Sequence, residues 1–302
     1  MKKKHLLKQG KIWEIGFLCI ILMLPITNFL VFYLYVNIDS LMLAFQKIDL
    51  AGVAHFAGFE NFKTVFSEIG ADPLIRGMLG RSFAAFAVTV FVGFPLNLLF
   101  AYVIYKKVPA SGFFQVVLFL PSIISSMVIT LMFRYMVENI IAAIFEVQLL
   151  ENHAFPTYLF YMIWSSFGVQ LVIYTGAMSR IPEAVVEAAS LDGITPMKEF
   201  WYITLPMVYG TITIFLVTTI ASIFTNQMNI LNFEGPGAMR EHQTIGFYIF
   251  QQVIPGGSTA NIGDYSKYPY AAAYGMLFTF IIAPITLVGK WLLEKYGPTV
   301  EE

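Results

Sequence analysis

Six stretches of this sequence are long and apolar enough to cross a lipid bilayer, and this feature constrains the fold most. About 20 mostly apolar residues are needed, because a helix rises about 1.5 Å per residue and the hydrocarbon core is about 30 Å thick. Lipid offers no partner to unpaired backbone groups, and none of the stretches alternates like a barrel strand, so each is predicted to be a helix. The six predicted spans cover residues 15–35, 83–105, 112–133, 158–178, 207–224 and 271–292. The predicted fold class is an all-α integral membrane protein.

The composition agrees with a chain whose main surroundings are lipid. Hydrophobic residues make up 58% of the chain and charged residues 12%, whereas a soluble domain carries roughly 25% charged residues. The net charge of −1 excludes a basic nucleic-acid binder, so no nucleic-acid partner is expected. The single cysteine, Cys19, excludes an internal disulfide and is interpreted as a small buried hydrophobic residue.

The distribution of Lys and Arg predicts the orientation. With the N terminus placed inside, the inner segments hold 11 of the 18 cations, although the outer segments are about twice as long. Both termini are therefore predicted to be cytoplasmic, with residues 1–14 and 293–302 as tails and 15–292 as the membrane domain. The first span follows five lysines, but its apolar run is too long for a signal peptide and no A-x-A-like cleavage site follows it. It is expected to be a retained helix, and the predicted outer loops are residues 37–82, 135–157 and 225–270.

Several chemistries are absent from the sequence. It contains no G-x-x-x-x-G-K-[ST] phosphate loop, and its four histidines form no H-E-x-x-H pattern, so neither a catalytic site nor a metal site is predicted. All 19 carboxylates fall in tails, in loops or within a turn of a span end, whereas ion-coupled transporters usually keep an ionisable group at mid-depth. If the chain moves a solute, the energy is expected to come from another subunit.

The longest predicted cytoplasmic loop, residues 179–206, has the pattern of two short helices joined by a hinge. Pro182 suits a first helical turn, Gly193 a left-handed stop, and Thr195 followed by Pro196 a second helix start. The first helix places two glutamates and a leucine on one face, with small side chains beside them. These are Glu183, Glu187 and Leu191, and Ala184, Ala188 and Ala189. Such a face is suited to docking in a groove of another protein.

The same loop resembles a family signature. Glu187-Ala188-Ala189, three residues, Gly193, nine residues and then Ile203-Thr204-Leu205-Pro206 is similar to the EAA motif of permease subunits of binding-protein-dependent ABC importers. Two further segments resemble the carbohydrate branch, which includes the maltose-type permeases. They are Gly58-Phe59-Glu60-Asn61-Phe62, and residues 229–237 followed by Thr244, Tyr248 and Phe250.

The resemblance implies a bacterial cell-membrane, multi-pass subunit that couples ATP hydrolysis on a partner to alternating access for an oligosaccharide. The implied partners are a second permease subunit, ATP-binding subunits that use ATP and Mg, and an extracytoplasmic sugar-binding protein. Glu187 would contact the ATPase, Gly193 would be the hinge, and Ile203, Leu205 and Pro206 would return the chain to span five. The predicted coupling residues are Glu183, Glu187, Ala188, Ala189, Asp192, Gly193, Ile203, Leu205 and Pro206. The alternative is that the glutamates form a solvated face with a salt bridge to Lys or Arg.

Polar stripes in three spans are candidates for a solute path, because polar side chains in lipid normally face the bundle interior. Hydroxyls, amides and aromatic rings are the groups that a sugar site uses. The candidates are Ser122, Ser126 and Thr130, then Ser166, Gln170 and Tyr174, then Thr218 and Ser222. Helix packing is the alternative for each stripe, and Gln170 is the best single candidate, because a mid-span amide is costly without a role or partner.

Arg134, which follows the first stripe, is expected to pair with Glu138 or to reach the outer interface rather than to meet an acidic substrate.

The alternative functions of the chain are the same importer role for a non-sugar solute, an autonomous secondary transporter or channel, and a membrane anchor without transport.

Overall fold

The computed structural model describes residues 16–49, 52–254 and 265–298. The predicted N-terminal tail and the last four residues of the predicted C-terminal tail lie outside the described residues. The described part consists of helices and one short antiparallel hairpin, β1 Gln46–Ile48 with β2 Ala54–Phe56, which confirms the predicted helical class. The helices are α1 Gly16–Leu43, α2 Glu60–Ala71, α3 Pro73–Tyr105, α4 Ser111–Ile123, α5 Ser126–Phe145, α6 Leu149–Asn152, α7 Ala154–Met178, α8 Glu183–Leu191, α9 Pro196–Met207, α10 Tyr209–Ala221, α11 Ile230–Glu234, α12 Ile245–Gln251 and α13 Tyr268–Tyr296.

Five of the described helices are long and apolar enough to span a membrane, namely α1, α3, α5, α7 and α13. A sixth is added if α9 and α10, which meet at an angle of 71°, are one broken span. The structure therefore agrees with the predicted count of six when the bent pair is taken as a single crossing.

The second span starts earlier in the structure than the sequence predicts. Helix α3 starts ten residues before position 83, where the Asp72 carboxylate accepts a hydrogen bond of 2.8 Å from the Leu74 amide and Pro73 occupies the first turn. At about 1.5 Å per residue its 33 residues extend about 50 Å, well beyond the hydrocarbon core. Residues 37–82, predicted as a loop, hold the end of α1, the hairpin, α2 and the start of α3.

The third predicted span, 112–133, is wrong as a continuous helix. The chain leaves the helical conformation at Ile124 and Ser125, between α4 and α5. Pro121 lies inside α4 and lacks the N–H that would bond the Val117 carbonyl, which weakens the last turn of the helix. Helix α5 then continues to Phe145, through residues predicted to be loop.

Contacts within the chain divide the described residues into two compact units. The first holds the residues up to Val65 and Tyr265–Met276. In it the buried Asn61 amide donates hydrogen bonds to the carbonyls of Ala44, at 2.9 Å, and Gln46, at 2.7 Å. The asparagine of the 58–62 segment thus joins the start of α2 to the end of α1 and to the first residue of β1.

Cys19, also in this unit, is exposed, which corrects the expectation of a buried side chain. The side chains of α1 around it are exposed along almost the whole helix, so within its own unit the described residues leave its apolar surface uncovered. Lipid is the natural neighbour for such a surface in a membrane protein.

The second unit holds Phe66 to Asp264, of which residues 255–264 are not described, and the chain from Leu277. Two apolar clusters form its core. One joins α5, α7 and α11, and the other joins α3, α7, α9 and α10.

Arg81 in α3 fastens the segment after α10 to this unit. Its guanidinium donates to the carbonyls of Gln243 at 2.7 Å and Arg240 at 3.0 Å, so the charge inside the long helix is bonded to backbone. Arg240 in turn lies 2.7 Å from the Asp72 carboxylate. The Leu74 amide and the Arg240 guanidinium hold the pKa of Asp72 below its ordinary value.

Helices α4 and α7 approach closely at Gly168. A Cβ added there would lie 2.4 Å from the Ser122 hydroxyl oxygen and 2.5 Å from the Ser122 Cβ. At Gly176, two turns farther along α7, a Cβ added to the helix would meet no described atom outside the local helix backbone within 4 Å. A small residue is therefore required at position 168 by packing.

We expect Gly168→Ala to lower the stability of the protein by about 1–3 kcal/mol, because the added methyl group overpacks the contact with Ser122. Gly176→Ala on the same helix is the matched control and should leave the apparent melting temperature in detergent unchanged or slightly higher. Adding Ser122→Gly to Gly168→Ala should recover part of the loss. Equal melting temperatures for the two alanine variants would contradict the close approach of α4 and α7.

Candidate functional site

The 179–206 loop contains the two predicted short helices, α8 and α9, with a turn between them. Gly193 has a φ of +70°, and its amide and that of Ile194 bond the carbonyls of Ser190 and Ala189 to end α8. Apart from its two neighbours in the chain, no atom of the described residues lies within 4 Å of a Cβ added at Gly193. The backbone conformation, and not a lack of space, is what requires glycine here.

Helix α8 presents an exposed surface of the predicted composition. Glu183, Glu187, Ala188 and Asp192 are exposed, and the Leu191 side chain is 89% exposed. Ala189, also predicted on this surface, is instead buried at 5%. Neither Glu183 nor Glu187 has an ion-pair partner among the described residues, so the alternative of an internal salt bridge finds no support in this part of the chain.

Helix α9 is more firmly held than α8. Phe200 is 3% exposed and Glu199 is 7% exposed, and Ile203, Leu205 and Pro206 are half-buried. Val208, at 3% exposure, forms the bend into α10. The return from the loop to the fifth crossing thus passes through a sharp bend whose apolar side chains are packed.

Six of the eight solute-path candidates have hydrogen-bond partners in the chain. Four of them donate to a backbone carbonyl three or four residues earlier in the chain: Ser122 to Phe119, Ser166 to Ile163, Thr218 to Ile214 and Ser222 to Thr219. The other two bond side chains, since Ser126 donates to the Asn229 side chain and the Thr130 hydroxyl lies 2.6 Å from the Tyr161 hydroxyl. These bonds are what a packing role requires, because a hydroxyl in lipid must find a partner in the protein. Ser222 also lines a cavity of about 120 Å³ with Ser82, Thr89, Thr219 and Asn226.

The other two candidates, Gln170 and Tyr174, lie one turn apart on α7 and keep unpaired polar atoms. Gln170 Oε1 and the Tyr174 hydroxyl are buried and have no hydrogen-bond partner in the described part of the chain. The Tyr174 ring is fully buried and packs against Phe215 with ring centroids 5.0 Å apart. Such groups are rare in folded proteins and call for an explanation.

Sequence reasoning missed Asn97, a fully buried residue in α3. Its amide donates to the Gly93 carbonyl at 2.9 Å and lies 3.4 Å from the Ser166 hydroxyl, while Asn97 Oδ1 has no partner among the described residues. Asn97 is an amide within the apolar run 94–105, which is the signal that identifies it in the sequence. Asn97, Ser166, Gln170 and Tyr174 form a polar stripe that begins where α3 meets α7.

Arg134 pairs with Glu138 as predicted, with a distance of 2.9 Å between Nε and Oε1. It also donates a hydrogen bond of 2.6 Å to the Phe233 carbonyl in α11. The Arg134 guanidinium is therefore hydrogen-bonded to two groups of this chain, Glu138 and the Phe233 carbonyl.

Known proteins resemble this chain along most of its length. The arabinooligosaccharides transport system permease protein AraP of Bacillus subtilis (strain 168) is 25% identical over 287 residues, which cover 90% of this chain and 86% of that protein. Among solved structures, this chain shares the fold of a chain from a bacterial ABC transporter involved in the import of the acidic polysaccharide alginate. The TM-score is 0.76 and the sequence identity is 22%, and the match covers 95% of this chain and 98% of the other. A bacterial alginate ABC transporter in complex with alginate pentasaccharide-bound periplasmic protein gives a TM-score of 0.72, 23% identity, and coverage of 94% of each chain.

The family assignment covers most of the chain, including the 179–206 loop. Residues 93–302 match the family described as "Binding-protein-dependent transport system inner membrane component". This chain therefore belongs to the inner-membrane components of binding-protein-dependent transport systems.

Proposed function

We propose that this chain is the permease subunit of an ATP-driven oligosaccharide importer in a bacterial cell membrane, with both termini cytoplasmic. A second permease subunit, ATP-binding subunits and an extracytoplasmic sugar-binding protein complete the machine. The ATP-binding subunits use ATP and Mg, and this chain makes and breaks no covalent bond. The observation that carries the proposal is the EAA-spaced loop, which exposes Glu187 and Leu191 on α8 without partners among the described residues.

The composition of the α8 surface supports a protein partner. Covering a leucine that is 89% exposed stabilises a complex by about 1.5–3 kcal/mol. The small alanine side chains beside it let the groove of a partner approach α8 closely. Glu183 and Glu187 then offer two negative charges to a basic rim. Movement of that partner would displace α8 and change the access of the solute path.

Two observations support an oligosaccharide as the solute. The compared proteins include one named for arabinooligosaccharides and one crystallised with an alginate pentasaccharide on its periplasmic protein. The unpaired atoms of Asn97, Gln170 and Tyr174 are neutral amide oxygens and a hydroxyl, which match sugar hydroxyls. An acidic oligosaccharide is the second candidate, because the alginate transporter shares the fold.

Glu187→Arg is expected to reduce the ATP-binding subunit that copurifies with this chain in mild detergent by at least about ten-fold, because a charge reversal at a docking surface costs several kcal/mol and each 1.4 kcal/mol is about ten-fold in affinity. The control is Glu151→Arg, at an exposed glutamate in α6, which should copurify the subunit as the unaltered chain does. Equal recovery with the two variants would overturn the docking role of Glu187.

Gly193→Val is expected to lower sugar uptake by about ten-fold or more, because a β-branched residue is strained at a φ of +70° and stiffens the turn between α8 and α9. Gly210→Ala, at a helical glycine with open space around it, is the control. Uptake is measured with the ligand of the cognate binding protein, and copurification of the ATP-binding subunit is checked alongside. Normal uptake with normal assembly would exclude the hinge role.

Gln170→Leu is expected to lower uptake by about ten-fold while the apparent melting temperature stays the same or rises, because the substitution removes a buried oxygen that has no partner. Thr130→Val is the matched control. It leaves the buried Tyr161 hydroxyl without its 2.6 Å partner, so it should lose about 1–3 kcal/mol of stability and keep its uptake per folded molecule. If Gln170→Leu is destabilised and transports normally, Gln170 serves packing and not solute contact.

A further inference from the structure

An ion pair joins the end of the second crossing to the 179–206 loop. Lys106 Nζ lies 2.8 Å from both carboxylate oxygens of Glu199, which is 93 residues away in sequence. The side chains are 26% and 9% exposed, so the pair is largely removed from water. A carboxylate buried in this way is stable only with a partner charge.

Two contacts of Tyr102 lie beside this ion pair. The Tyr102 hydroxyl donates a hydrogen bond of 2.8 Å to the Pro196 carbonyl, and its ring lies 5.1 Å from the Phe200 ring, measured between centroids. Tyr102 and Lys106 are one helical turn apart, so they lie on the same side of the helix end. Pro196, Glu199 and Phe200 all belong to α9.

These contacts reach only one of the two helices of the loop. They hold the first turn and a half of α9, whereas α8 is joined to α9 through the left-handed turn at Gly193. The other end of α9 leads through the 71° bend into α10. Helix α9 is therefore attached at its start to α3 and at its end to α10.

We propose that Lys106 and Glu199 are positioning residues that fix α9 to the end of α3, with Tyr102 as the supporting contact. The inference rests on the proposed function. When the ATP-binding subunit displaces the loop, the clamp of these three residues passes the displacement to α3 as well as to α10. Since Asn97 lies on the same helix, about two and a half turns before Lys106, movement of α3 reaches the polar stripe directly.

The test uses charge exchange in the assembled complex in proteoliposomes. Lys106→Glu and Glu199→Lys each place two like charges in the clamp, and the double variant restores the pair with reversed polarity. Three quantities are measured: copurified ATP-binding subunit, basal ATP hydrolysis, and hydrolysis stimulated by the sugar-loaded binding protein. Lys106→Arg is the conservative control. If a charge-reversal variant does not assemble, Glu199→Gln, whose side chain is similar in shape but neutral, is measured in its place. The same results are expected for it as for the single charge reversals.

We expect the single variants to keep the ATP-binding subunit and basal hydrolysis within about two-fold and to lose stimulation by about ten-fold or more. The double variant and Lys106→Arg should recover stimulation to within about three-fold, and Tyr102→Phe should show a smaller loss than the charge reversals. Normal stimulation in the single variants, or no recovery in the double variant, overturns the clamp while docking still supports the proposed function. Absence of the ATP-binding subunit from the unaltered chain overturns the proposed function itself.

Discussion

The lack of water inside a bilayer is the constraint on which the rest of this structure depends. A polar group in a span must be bonded within the protein or be left with a cost of several kcal/mol. Most hydroxyls meet the requirement locally, as Thr218 does through the Ile214 carbonyl of its own helix. Arg81 meets it by donating to two backbone carbonyls. Against this background, the unpaired oxygens of Asn97, Gln170 and Tyr174 are significant.

The same constraint concentrates charge at the ends of the helices, and the charges there fall into two groups. Some are paired within the chain, as are Asp72 with Arg240 and Lys106 with Glu199. Others, such as Glu183 and Glu187, are exposed and have no ion-pair partner among the described residues. Paired charges fix elements of one chain to each other, whereas exposed charges beside an exposed leucine suit contact with another chain.

The sequence was sufficient for the helical class, for most spans and for the two helices of the loop, because these depend on local patterns. Hydropathy finds a span, and Gly193 and Thr195-Pro196 mark helix ends without reference to the rest of the chain. The break at Ile124 and Ser125 was missed because the apolar run continues through it. Hydropathy also missed the polar first part of α3, where a cap at Asp72 and contacts with residues 240–245 set the start.

The solute-path candidates show a different limit. Ser122, Thr130 and Gln170 have the same helical spacing in the sequence, and only the neighbouring helices distinguish them. Ser122 is opposite Gly168, Thr130 is opposite Tyr161, and Gln170 Oε1 has no partner among the described residues. The clamp was missed for the same reason, since Lys106 and Glu199 are brought together only by the folding of α9 against α3.

A glycine stands between the two helices of the 179–206 loop, of which α8 exposes its acidic face and α9 is bonded to the end of α3. Gly193 is the residue of this fully described loop that has a positive φ. The left-handed conformation of Gly193 ends α8 and turns the chain into α9, and the hydrogen bonds of Tyr102 and Lys106 are made to α9. With the proposed clamp, a displacement that moves α8 and α9 together acts on the end of α3 through those contacts.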